Sequence, residues 1–125
     1  MDDSLNLRVL LVEDDATVAM LIEDMLEALG CQVARSIADI SHTDGVADDV
    51  EFDLAILDIN VAGRPVFPFA QDLKQRGKPV LFSTGYGQAG LPAEFHSCPV
   101  LAKPYSMDDL QRTLRDVMEA RPGGS

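Results

Sequence analysis

The chain has 125 residues, 46% hydrophobic and 25% charged, with 21 acidic against 10 basic side chains and a formal net charge of −11. Those figures describe one soluble globular domain and not a disordered chain. The acidic balance argues against nucleic acid or an anionic membrane surface as partner, because phosphate charge would be repelled, and no apolar run is long enough to span a bilayer.

The first four residues, Met1-Asp2-Asp3-Ser4, are acidic and polar, unlike a signal peptide, so a cytoplasmic protein is expected. Cys31 and Cys98 sit in apolar surroundings and are expected to be reduced, buried thiols. Arg8-Val9-Leu10-Leu11-Val12 is apolar after its first residue and suits a strand buried on both faces. From Thr17 the period becomes helical, with Val18, Leu21, Ile22, Met25, Leu26 and Leu29 on one face. Asp15 is the expected N-cap and Gly30 the C-terminal stop. Residues 32–35 form a second strand; 37–50 are weakly helical, broken at Asp44-Gly45. Asp48-Asp49-Val50-Glu51 is read as a solvated face, and His42 and His96 as isolated surface residues.

Asp53 to Asp58 is a third strand. After a loop with Gly63 and Pro65, Pro68 opens a helix carrying Phe69, Ala70 and Leu73, closed by Gly77. Residues 79–84 form a fourth strand and 100–102 a fifth. Gly85, Gly87, Gly90 and Pro92 leave room only for a short, soft helix between them. A last helix starts near Ser106 with Met107, Leu110, Leu114, Val117 and Met118 on one face, and the tail from Arg121 frays.

Five strands alternating with about five helices predict an α/β fold, a parallel sheet covered on both faces. Sites in such sheets form at the carboxyl ends of the strands. Glu13 and Asp14, Asp58, Thr84 and Lys103 stand there. Three carboxylates at one sheet edge repel unless a cation joins them, and hard oxygen ligands suit Mg²⁺. A lysine anchors an anion and a threonine hydroxyl donates to a phosphoryl oxygen. The set describes phosphoryl transfer to a carboxylate nucleophile.

Val9-Leu10-Leu11-Val12-Glu13-Asp14-Asp15, Leu54-Ala55-Ile56-Leu57-Asp58, Phe82-Ser83-Thr84-Gly85 and Leu101-Ala102-Lys103-Pro104 resemble the motifs of response-regulator receiver domains, from about residue 7 to 120. The resemblance implies a flavodoxin-like (βα)5 three-layer sandwich with strand order 2-1-3-4-5. It implies that Asp58 accepts a phosphoryl group from a sensor histidine kinase or histidine phosphotransfer protein in bacterial two-component signalling. Glu13, Asp14 and Asp58 would hold Mg²⁺, Asp14 most directly, with the backbone carbonyl of Asn60 completing the site. Thr84 and Lys103 would bind phosphoryl oxygens, and the Lys103-Pro104 bond is often cis in the family.

Three departures stand out. Val100 occupies the place of the usual switch aromatic, Val61-Ala62 replaces the usual Met-Pro, and Phe82-Ser83-Thr84-Gly85-Tyr86-Gly87 resembles an atypical, largely stand-alone subclass. Thr84 and the segment through Gly90 are therefore the expected carriers of the switch, with Tyr86 a local aromatic. The expected protein is one receiver over residues 1–125, a monomer or weak dimer that signals through a downstream protein target and not through DNA. A phosphate shuttle or sink, a fragment of a hybrid kinase, and a receiver that binds partners unphosphorylated are the nearby alternatives. A phosphatase of the haloacid-dehalogenase type would need an acid two residues after Asp58, where Asn60 stands. A flavodoxin would need a phosphate loop where Glu13-Asp14-Asp15 stands.

Overall fold

The computed structural model describes residues 5–85 and 91–120. In chain order the elements are β1 (Arg8–Val12), α1 (Ala16–Ala28), β2 (Gln32–Ile37), a 3₁₀ turn (Ile40–Thr43), α2 (Val46–Asp49), β3 (Leu54–Asp58), β4 (Asn60–Val61) and β5 (Arg64–Pro65). There follow α3 (Phe67–Gln75), β6 (Val80–Thr84), a 3₁₀ turn (Ala93–Phe95), β7 (Val100–Ala102) and α4 (Met107–Ala120). Five strands form one parallel sheet in the order β2-β1-β3-β6-β7. This is the expected 2-1-3-4-5 order, because β4 and β5 form a separate two-residue hairpin that takes two numbers.

The apolar strands lie where their composition requires. β1, β3 and β6 are flanked on both sides and buried almost throughout, while the edge strand β2 carries exposed Gln32, Arg35 and Ser36. Alternation splits the core in two. Leu10, Val12, Ala55, Leu57 and Phe82 pack with Phe69, Ala70 and Leu73 of α3; Leu11, Leu54, Ile56, Leu81 and Leu101 pack with Ile22 and Leu26 of α1 and Leu110 and Leu114 of α4. Continuing the alternation past the strand ends puts Glu13, Asp58, Ser83 and Lys103 on the α1/α4 face.

Asp15 caps α1 as expected, its carboxylate accepting from Thr17 N at 2.9 Å and Val18 N at 3.2 Å. Gly30 closes that helix with φ of 80°, a conformation glycine adopts without strain. Ser106 and Asp109 cap α4 reciprocally: Asp109 N donates to Ser106 Oγ and Ser106 N to Asp109 Oδ2, both at 3.1 Å. The Ser106 N–H first, and then the Ser106 hydroxyl, hold the Asp109 carboxyl below its ordinary value. A depressed carboxyl contributes stability that is present above its unfolded value and lost as pH falls through the folded one. Ser106→Ala removes the hydroxyl that accepts from Asp109 N but keeps the Ser106 N–H on the Asp109 carboxylate, and should cost about 1 kcal/mol at neutral pH, measured by urea unfolding.

Several expectations need correction. Leu21 and Met107 belong to the apolar faces expected of their helices but are 58% and 43% exposed. Ala19, Ile22 and Leu26 are the buried residues of α1, and Leu21 lies at the rim of its apolar stripe. There it lines an open apolar groove with Val18, Ile22, Met25 and residues 103–105. Met107 stands in the first turn of α4, before the helix reaches the core residue Leu110. Cys31 is buried but Cys98 only half-buried; both thiols are free, and burial pushes both up. Four α-helices are present among the described residues, not five: between β6 and β7 they contain only the turn Ala93–Phe95. Residues 86–90, and with them Tyr86, lie outside the described residues.

Phe95 anchors that turn. Its ring stacks on Phe67 at 5.6 Å and meets Phe82 edge-on at 5.4 Å, and Phe67 lies 6.2 Å from Phe82. The acidic run is exposed, with Asp48 paired to Arg76 at 2.5 Å and Glu51 to Arg8 at 2.8 Å. His42 and His96 are exposed, and the His96 ring meets the Leu91 carbonyl at 2.8 Å.

Candidate functional site

Each main strand but β2 ends by delivering a polar side chain to one edge of the sheet. Glu13 follows β1 directly, its N–H tied to the Ile37 carbonyl at 2.9 Å. Asp14 comes next, and Asp58 is the last residue of β3. One carboxylate oxygen from each lies within 4.8 Å of the others. Lys103 follows β7; its N–H donates to the Thr84 carbonyl at 2.8 Å, and Nζ reaches Glu13 Oε1 at 2.6 Å and Asp58 Oδ2 at 3.4 Å. The Lys103-Pro104 bond is cis.

The four charged groups differ in their surroundings. Glu13 is 2% exposed, and Asp14 is exposed. Burial pushes the Glu13 carboxyl above its ordinary value, against the bonds from Lys103 and the Asp15 N–H. Burial by itself would lower the Lys103 ammonium; the Glu13 hydrogen bond and the Asp58 charge outweigh it and hold the group above its usual value. An ionised Glu13 thus opposes folding above its ordinary titration range, and any cation added beside it offsets that cost.

The hairpin β4–β5 forms the far wall. Ala62 at φ 51° and Gly63 at φ 83° make a turn in which both central residues are left-handed, which matches the twist of a two-residue hairpin. The turn aims the Ala62 N–H at Asp14 Oδ2, 2.7 Å away, and so fixes that carboxylate. Asp14, Asp58, Asn60, Gly63, Thr84, Gly85 and Lys103 line the resulting cleft, with Glu13 beneath it. Asn60 N lies 3.5 Å from Asp58 Oδ1, a long contact. Thr84 is buried, 2% exposed, at the end of β6.

The structure thus brings together Glu13, Asp14, Asp58, Asn60, Thr84 and Lys103. It says nothing of Tyr86, which lies outside the described residues. Two residues beside the site had no role in the sequence reading. Ser83 is the register partner of Asp58, and its hydroxyl donates to the phenol oxygen of Tyr105 at 3.3 Å. Burial pushes that phenol up, against the Ser83 bond. The sequence marks Tyr105 only as the single aromatic of the connection from Lys103 to Ser106, and nothing in it marks Ser83 as its partner.

An all-oxygen set of three converging carboxylates beside one ammonium is chemistry that fits a small hard cation such as Mg²⁺. With one ammonium against three carboxylates the cleft is net negative, so an anionic group could enter it only beside a bound cation. The fold and this arrangement define a class, and comparison with known proteins agrees. The chain belongs to the response regulator receiver domain family of two-component signalling, whose model matches residues 9–115. The solution structure of SdrG from Sphingomonas melonis Fr1 is 32% identical, with a TM-score of 0.80 over 91% of this chain and 98% of that one. The PhyR receiver domain of Erythrobacter litoralis is 25% identical, with a TM-score of 0.79 over 96% and 95%. The receiver domain of the sensor histidine kinase PA1611 from Pseudomonas aeruginosa, solved with magnesium in its active-site cleft, is 24% identical, with a TM-score of 0.79 over 92% and 99%. The transcriptional regulatory protein PdtaR of Mycobacterium tuberculosis is 27% identical over 107 residues. The match takes in 82% of this chain and 52% of PdtaR, so the chain spans about half the length of that curated relative.

Proposed function

We propose that the chain is a phosphoacceptor that takes a phosphoryl group on Asp58 from a sensor histidine kinase or histidine phosphotransfer protein and passes the signal on by protein contact. The carrying observation is the convergence of three carboxylates within 4.8 Å beside Lys103 at one sheet edge. An Asp58 oxygen attacks phosphorus, the bond from phosphorus to the donor's histidine nitrogen breaks, and the imidazole keeps the electron pair. Glu13, Asp14, Asp58 and the Asn60 carbonyl would hold Mg²⁺, which when bound screens the phosphoryl charge. Lys103 would turn its ammonium to one phosphoryl oxygen, and the Thr84 hydroxyl would donate to another. Asn60 offers no acid or base for rapid release, so the chain is an acceptor and not a turnover enzyme. The contact face for a cytoplasmic downstream protein would be the segment 85–97, of which 86–90 lie outside the described residues, with β7 and α4.

Incubation with acetyl phosphate and Mg²⁺ should add one phosphoryl mass to the intact protein. With Mg²⁺ chelated the gain should vanish, because three carboxylates then repel the donor. No mass gain with metal present would overturn the reading.

A further inference from the structure

Lys103 stands in the four-residue connection between β7 and α4, where no strand ladder or helix holds the backbone. One end of that connection is tied to the sheet by the Lys103 N–H on the Thr84 carbonyl. Tyr105 ties the other end. Its ring packs against the core cluster under α1 and α4, and its phenol oxygen accepts from Ser83 Oγ at 3.3 Å. Ser83 in turn pairs in register with Asp58 across β3 and β6. The clamp on the lysine's connection therefore rests on the residue beside Asp58.

A lysine side chain is long and rotamer-rich, so its ammonium is well placed only when its backbone is held. A ring serving packing alone would need no hydroxyl, and a buried hydroxyl without a partner is costly. Tyr105 keeps the hydroxyl and spends it on Ser83. We propose that Tyr105 is a positioning residue: through Ser83 it fixes the connection from which Lys103 reaches Asp58, and so sets the rate of phosphoryl uptake. The inference rests on the reading of Asp58 as phosphoacceptor.

The test compares wild type, Tyr105→Phe, Ser83→Ala and the double variant by initial rate of mass gain across acetyl phosphate concentrations with Mg²⁺. Each single variant should lower the maximal rate roughly 3- to 10-fold with little change in half-saturating donor. The double variant should be no slower than either single one, since both remove the same bond. Val117→Ala, a core truncation in α4 away from the cleft, should lower stability and leave the rate alone. A second readout does not depend on phosphoryl chemistry: the Lys103 Cε resonance in ¹³C-lysine spectra should move in both single variants. Wild-type rates in Tyr105→Phe, additive losses in the double variant, or an unmoved Lys103 resonance would overturn the proposal. A wild type that takes no phosphoryl group would instead sink the phosphoacceptor reading, and the Lys103 resonance alone would then decide the positioning role.

Discussion

Asp58→Ala should take up no phosphoryl group from acetyl phosphate with Mg²⁺ present, a fall of at least about 100-fold in rate, while the protein stays folded. The two halves of that expectation have different origins. Loss of uptake follows because Asp58 lines the cleft 3.4 Å from the Lys103 ammonium, whereas Glu13, 2.6 Å from the same ammonium, is buried and Asp14 is bonded to the Ala62 N–H. Retention of the fold follows from electrostatics. Asp58 is one of three clustered carboxylates, so removing it relieves repulsion at the cost of a 3.4 Å contact with Lys103. Thermal melting should accordingly show a midpoint equal to or above that of wild type. Intact mass read beside the melt separates the two halves. Phosphoryl uptake by the variant would show that another residue is the acceptor.

Phe82→Ala should cost about 3–5 kcal/mol, a large share of the stability of a domain this size. Phe82 is fully buried in β6 and touches both Phe67 of α3 and Phe95 of the turn before β7. Truncation removes the apolar ring, opens a cavity, and breaks two aromatic contacts worth roughly 0.5–1.5 kcal/mol each. The melting midpoint should fall on the order of 10–20 °C. Phe82→Leu fills most of the space and should cost under about 2 kcal/mol. Urea unfolding followed by circular dichroism distinguishes them; equal losses for Ala and Leu would show that the ring's shape is not what holds the three elements together.

Much of the fold is written locally. The apolar run at Val9–Val12 suits a strand covered twice, and Asp15 before a helical stripe suits a cap, and both stand so. The site was legible for the same reason: parallel strands all end on one side, so the residues after them must meet. What escaped is set by tertiary contact. Leu21 obeys the helical period yet stands exposed, because the period says nothing of how wide a stripe the sheet covers. The β4–β5 hairpin is two residues per strand, too short for any alternation to show, and its turn needs a left-handed alanine that composition does not announce. The Ser83–Tyr105 bond joins residues on different elements, and neither flank marks the pairing.

The imbalance of charge at the sheet edge carries a thermodynamic corollary. With all three carboxylates ionised, the cluster holds three negative charges against the one on Lys103. A divalent cation cancels that excess, whereas a phosphoryl group on Asp58 enlarges it. Metal and phosphoryl occupancy are then two ends of one linkage: whatever factor the modification adds to cation affinity, the cation returns to the equilibrium of modification. On the proposed reading, the free magnesium of the compartment would thereby enter the set-point of the signal alongside the activity of the donor.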